Sequence, residues 1–174
     1  MTDRVADASA DAGAPGDPRA STVTERLLGW LRRSGVPFEV LEHPPVFTSE
    51  EAARVRGTLP EAGAKALVVR ADERPVQLVL PGNRRADNAR VREILGTRRL
   101  RFLTREELLA LTGCAPGAVP PFGSLFGLPV FIDEALTRLD RVAFNAGSNT
   151  VSVTMRAADL VRLSGATVSC FTRD

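Results

Sequence analysis

Lys65 is the one lysine among 23 basic residues. The chain uses arginine wherever a positive charge will serve, yet it keeps an ammonium inside the apolar run GAKALVV (63–69). That is where a compact, strongly hydrated point charge differs most from a planar guanidinium. Such a group can hold a phosphate or carboxylate. The alternative is a strand-end lysine whose stem is covered and whose head reaches solvent.

A second stretch, TGCAPGAVPPFG (112–123), holds three glycines and three prolines and no charge. Glycine lets a backbone N–H approach a ligand closely and allows positive φ. Pro116, Pro120 and Pro121 donate nothing but fix the direction of their neighbours. The N–H groups of Gly113, Cys114, Ala115, Gly117, Ala118 and Val119 could face an oxygen that becomes negative in a transition state. A tight turn without a ligand is the plainer reading. FNAGSNTVSV (144–153) repeats the style, with Asn145, Gly147, Ser148 and Asn149 between two apolar runs, and could be a hairpin alone. Together with Lys65, the two loops would form a small uncharged pocket with one cation at its edge.

Other chemistries find little support. His43 is the only histidine. A thiol dyad of Cys114 with His43 is conceivable, but Glu42, next to His43 on a strand, would point to the opposite face. The phosphate-loop pattern G-x-x-x-x-G-K-[ST] and the dinucleotide pattern G-x-G-x-x-G are missing. Two cysteines and one histidine do not make a four-ligand zinc site, so no metal and no cofactor is expected. Cys114 and Cys170, far apart and without a CxxC spacing, suit a reduced cytoplasmic protein. No apolar run is long enough for a membrane span. Residues 82–105 carry eight arginines, among them Arg84, Arg85, Arg98 and Arg99, against only Asp87 and Glu93. This segment reads either as a patch for a polyanion or as a solvated face.

The elements that must position these residues follow from periodicity. Helices are expected over 22–34, over 50–56 capped by Ser49, over 87–95, through EELLALT (106–112) capped by Thr104 with Glu107 completing a capping box, and over 156–164. Strands are expected over 38–43, 64–70, 76–80, 99–103, 128–133, 141–146, 150–155 and 166–171, with ADERP (71–75) turning a hairpin. Strands and helices mix without regular βαβ alternation. The fold class is therefore α+β, a single domain over 21–174 with a mixed, mainly antiparallel sheet flanked by helices. Residues 1–20, rich in Ala, Gly and acids, read as a disordered leader.

GAKALVV, LTGCAPGAVPPFG, LPVFID and VAFNAGSNTVSV, in this order and spacing, resemble the YbaK/prolyl-tRNA synthetase-associated domain family. Its members are free-standing relatives of the editing insertion of bacterial prolyl-tRNA synthetase. The resemblance covers residues 22–172. It implies a trans-editing hydrolase that clears a small wrong amino acid from tRNA, such as tRNA for proline, through water attack assisted by the substrate's own ribose hydroxyl. Within it, Lys65 is the family's functional lysine, meeting the terminal adenosine or its phosphate, and Gly113 and Gly117 belong to the catalytic loop. Ala115, Pro116, Ala118, Val119 and Pro120 would lie against the ester and amino acid, and Asn145, Gly147 and Ser148 would wall the pocket. Arg84, Arg85, Arg98 and Arg99 would grip tRNA. The implied partners are mischarged tRNA and an aminoacyl-tRNA synthetase, with neither membrane nor DNA. Alanine-specific members tend to follow the lysine with asparagine. Here Ala66 follows it, which leaves Ser, Thr, Cys or another small residue open. Two other readings remain at this point: a non-catalytic RNA-binding module using 84–105, and a hydrolase using Cys114.

Overall fold

A threonine followed three residues later by a glutamate opens three of the helices. Thr22, Thr48 and Thr104 each accept a hydrogen bond from the N–H of Glu25, Glu51 or Glu107, whose carboxylate accepts one back from the threonine N–H. The computed structural model describes residues 22–174, and the leader expected over 1–20 lies outside the described residues. The helices are α1 (Val23–Ser34), α2 (Ser49–Arg56), α3 (Asn88–Leu95), α4 (Arg105–Thr112), α5 (Glu134–Thr137) and α6 (Ala157–Ser164). Ser49, expected as the cap of α2, is instead its first helical residue. The Thr48–Glu51 spacing completes a capping box, whereas three residues beyond Ser49 stands Ala52, which has no carboxylate to offer. None of the described helices is long and apolar enough to cross a membrane.

The strands are β1 (Phe38–Glu42), β2 (Ala64–Ala71), β3 (Arg74–Pro81), β4 (Arg85–Ala86), β5 (Leu100–Phe102), β6 (Val130–Asp133), β7 (Arg141–Asn145), β8 (Val151–Arg156), β9 (Thr167–Ser169) and β10 (Thr172–Arg173). Five form one mixed sheet in the order β5-β2-β3-β6-β9, antiparallel on the β2 side and parallel from β3 to β9. Three more, β1-β8-β7, form an antiparallel sheet, and β4 and β10 pair as a small ribbon. A bridge between Gly63 and Ala143 joins the edge of β2 to β7. The two larger sheets therefore meet beside Lys65. The hairpin between β2 and β3 is tighter than ADERP suggested. Ala71 pairs with Arg74, and the turn is Asp72 and Glu73, with Asp72 at φ 52°. Aspartate tolerates that left-handed conformation better than most residues, and here its N–H also donates to the Arg99 carbonyl.

The main core packs α1 and α6 against β7 and β8, around Leu27, Leu31, Phe144, Val153, Met155 and Leu160. A second cluster gathers Ala66, Val68, Leu108, Cys114, Val119 and Leu128 beneath the glycine-proline loop. A third, around Leu78, Leu80, Val91 and Phe171, seats α3 and the C-terminus. Buried Asp133 ties that C-terminus down. Its Oδ2 accepts the N–H groups of Phe171 and Thr172, and its Oδ1 accepts that of Ala135.

Candidate active site

Lys65 leaves β2 opposite Leu80, half-buried, and its Nζ donates to the Arg84 carbonyl at 3.0 Å. Burial lowers the ammonium pKa from its usual value. Repulsion from Arg85 lowers it further, and Glu50 partly offsets both. It lines a cavity of about 140 Å³ open to solvent. That is close to the roughly 150 Å³ of a site that takes one benzene, so there is room for a small amino-acid moiety. The walls come from α2 (Ser49, Ala52, Ala53 and Arg56), from the start of β2 (Ala64 to Leu67), from Gly117 and Val119 of the loop, and from Phe144 and Asn145 of β7. Phe47, 78% exposed, stands at the lip.

The glycine-proline loop is held at both ends and in its middle. Phe122 is fully buried, edge-on to Trp30 at 5.1 Å and to Phe144 at 5.5 Å. The Gln77 Nε2 donates to the Pro120 carbonyl at 3.0 Å, the Gly147 N–H to the Ala118 carbonyl at 2.9 Å, and the Asn145 Nδ2 to the Gly117 carbonyl at 2.8 Å. Prolines limit the loop's freedom, and these bonds fix what remains.

Not all six candidate donors are available. The Gly113 N–H donates to the Leu109 carbonyl as the left-handed cap of α4, Cys114 N–H to Thr112 Oγ1, and Ala118 N–H to the Ala115 carbonyl. Gly113 is thus spent on ending a helix and does not line the cavity. The N–H groups of Ala115, Gly117 and Val119 have no hydrogen-bond partner among the described residues, and of these Gly117 and Val119 border the cavity. Ala115, Pro116, Ala118, Pro120, Gly147 and Ser148 do not line the cavity. The Ser148 hydroxyl shapes its own turn, bonded to the Thr150 hydroxyl and accepting the Thr150 N–H. Gly147 lies where a side chain would strike Val23.

The thiol dyad is not assembled. Cys114 is 1% exposed and its Sγ faces the Thr112 carbonyl, while burial raises the thiol pKa. His43 spends Nδ1 on the Pro44 carbonyl and Nε2 on the Ser152 hydroxyl. Among the described residues no group of His, Cys, Asp and Glu is placed to hold a metal ion.

The arginine-rich segment divides in two. Arg84 and Arg85 adjoin Lys65, with Arg84 also reaching Thr172 and Asp174 at the C-terminus. Arg98 and Arg99 lie at the opposite end of β2, by Ala71 and Asp72, six residues from Lys65 and so about 20 Å away along the strand. Arg101 is committed to a two-pronged ion pair with Glu107.

Sequence reasoning missed Arg56. It ends α2 and sends its side chain into the cavity wall, where Nε donates to the Ser152 hydroxyl at 2.9 Å and one terminal nitrogen to Asn145 Oδ1 at 2.7 Å. In a chain with 22 arginines nothing in EEAARVR marks the last one as different. The Gly57 that follows shows only that the helix ends there. Thr58, on the same wall, has a buried hydroxyl without a partner among the described residues.

Residues 43–163 match the family model described as the aminoacyl-tRNA editing domain. The chain is 33% identical over 151 residues to the multifunctional Ser/Thr-tRNA deacylase ProXp-y of Escherichia coli K12, covering 84% of this chain and 90% of that protein. It is 31% identical over 106 residues to the proline–tRNA ligase of Bacillus licheniformis, a stretch that is 61% of this chain and 18% of the ligase. A crystal structure described as a candidate trans-editing enzyme for prolyl-tRNA synthetase superposes with a TM-score of 0.80 at 29% identity, over 88% of this chain and 99% of that one.

Proposed function

Because the chain belongs to the aminoacyl-tRNA editing domain family, we propose that it is a trans-acting aminoacyl-tRNA deacylase that hydrolyses the ester of a small amino acid wrongly attached to tRNA. The observation that carries this reading is the small cavity beside Lys65. Among the described residues, its wall includes Gly117 and Val119, with unpaired N–H groups, and two cations but no carboxylate, histidine or thiol. An aminoacyl ester is already activated, so no protein nucleophile is needed. The N–H groups of Gly117 and Val119 support the carbonyl oxygen as charge develops on it. Lys65 holds a phosphate of the terminal nucleotide. Water adds to the carbonyl carbon, positioned by the free hydroxyl of the terminal ribose. The bond from that carbon to the ribose oxygen then breaks, and the oxygen takes up the proton.

The cavity size sets the sieve. A methylene distinguishes two amino acids by only about 1–3 kcal/mol in a binding pocket, and a second site that shuts out the larger residue supplies the remainder. We assign Arg84 and Arg85, next to Lys65, to the end of the acceptor strand, and Arg98 and Arg99 to phosphates farther along it. We assign the protein to the cytoplasm, acting on tRNA released by a synthetase, with tRNA for proline the first to try. The test is a panel of tRNAs mischarged with Ala, Ser, Thr and Cys, scored for ester loss against buffer. Loss for at least one is expected. Salt-steep tRNA binding with no turnover for any would overturn the reading and favour an RNA-binding module.

A further inference from the structure

Arg56 lies in a setting that an ordinary surface arginine does not occupy. Its guanidinium is half-buried, and burial lowers its pKa to about 10, so it stays charged at neutral pH. Among the described residues no carboxylate lies within ion-pair distance of it. A buried cation without a counter-charge is costly to keep.

Two of its five N–H groups are accounted for, one on Ser152 and one on Asn145. Both acceptors are themselves fixed. The Ser152 hydroxyl is also bonded to His43 Nε2 at 2.7 Å, and Asn145 is bonded through Nδ2 to the Gly117 carbonyl. The guanidinium is therefore oriented from behind. Its Nη1 has no acceptor among the described residues and sits 3.8 Å from where a side chain at Gly63 would begin. Gly63 has no side chain, so the space before Nη1 stays open to the cavity that Gly63 and Arg56 both line. Gly63 is extended and Lys65 follows two residues later on the same face, about 7 Å along the chain. Two cations thus line one cavity, Arg56 beside Gly63 and Lys65 two residues farther along the chain. With Lys65 given to the terminal nucleotide, the cation tied through Asn145 to Gly117 is the one left for the ester.

We propose that Arg56 is a catalytic residue whose Nη1–H donates to the ester carbonyl oxygen. The proposal rests on the deacylase reading above. As the water oxygen bonds to the carbonyl carbon, the π pair moves onto the oxygen held by Arg56. When the tetrahedral species collapses, that pair re-forms the carbonyl and the bond to the ribose oxygen breaks. The proton from the water ends on the ribose oxygen. Arg56 gives up no proton at any stage and acts as a fixed charge-assisted donor.

The experiment uses the full chain and whichever mischarged tRNA it clears fastest. Arg56→Met, similar in length and uncharged, should lose 10²–10³-fold in kcat, the usual cost of one oxyanion donor, with KM within about threefold of the parent. Methylguanidinium should restore part of kcat to Arg56→Ala and none to Lys65→Ala. Arg56→Lys, which keeps the charge and most of the packing, should remain at least tenfold impaired, and it serves as the readout if Arg56→Met does not fold. Parental kcat in Arg56→Met or Arg56→Lys, a rise in KM alone, or a loss that methylguanidinium leaves untouched would overturn the assignment while the deacylase reading stands. A parent protein that clears no ester would remove both.

Discussion

Gly147→Ala isolates the close approach between the first residue of α1 and the turn after β7. Gly147 has φ 83°, and a Cβ built there would lie 2.9 Å from Val23 Cγ1, 3.0 Å from Val23 Cβ and 3.1 Å from the Thr24 nitrogen. Val23 cannot swing aside easily because β-branching restricts its χ1, and Thr24 N is backbone. The left-handed conformation costs an L-residue about 1–2 kcal/mol, and forcing a methyl into filled space adds about 1–3 kcal/mol. Gly165→Ala is the matched control, since Gly165 has φ 62° and nothing within 4 Å of the added carbon. It carries the strain without the clash. At about 2–4 °C per kcal/mol for a protein of this size, Gly165→Ala should lower Tm by about 4 °C and Gly147→Ala by about 10 °C. Differential scanning calorimetry of the two variants beside the parent gives the comparison. Equal shifts, or a smaller one for Gly147→Ala, would refute the claim that α1 is wedged against this turn. The Gly147 N–H also holds the Ala118 carbonyl, so the same variant should deacylate more slowly than Gly165→Ala.

Lys65→Ala should abolish deacylation, and Lys65→Arg should keep little of it because the forked guanidinium does not fit where a compact ammonium reaches the Arg84 carbonyl; steady-state turnover decides. Cys114→Ala should turn over normally, and iodoacetamide on the folded protein should label exposed Cys170 but not Cys114, as peptide mapping would show. Glu107 has its pKa lowered from 4.5 to about 2, first by the Arg101 ion pair and then by the Thr104 N–H. A carboxylate depressed on folding contributes stability that is present above its unfolded pKa and lost as pH falls toward the folded one. Glu107→Gln should therefore flatten the decline in urea midpoint between pH 4.5 and 2, and an unchanged slope would count against the ion pair.

Local signals carried the elements well wherever a side chain acts on its own neighbours. The Thr104–Glu107 box, Asp87 before α3 and the glycines after α1, α2 and α3 are all short-range devices, and the sequence shows each directly. Short elements that exist only through distant partners were not legible. The strand β10 rests on its pairing with β4 and on Asp133, which captures N–H groups from thirty-eight and thirty-nine residues away. The cap of α2 was misread by one residue because Thr48 and Ser49 are both good capping types, and only the position of Glu51 separates them. At the site, Lys65 stood out by composition and the two loops by their lack of charge. Which loop N–H groups stay free could not be read in advance, since it depends on carbonyls from Leu109 and Ala115 and on the Thr112 hydroxyl. Arg56 was hidden for a related reason. Its distinction is the lack of a carboxylate nearby among the described residues, a property of the folded neighbourhood and not of the residue.

Phe144 forms part of the cavity wall, touches Phe122 edge-on, and Phe122 touches Trp30 in the same way. Trp30 is the only tryptophan in the chain, and there is no tyrosine to obscure its emission. The protein therefore contains a built-in optical reporter, two rings removed from the cavity beside Lys65. Filling the cavity should shift the environment of a single indole, so a change in intrinsic fluorescence on adding tRNA would follow occupancy without a dye or a radiolabel.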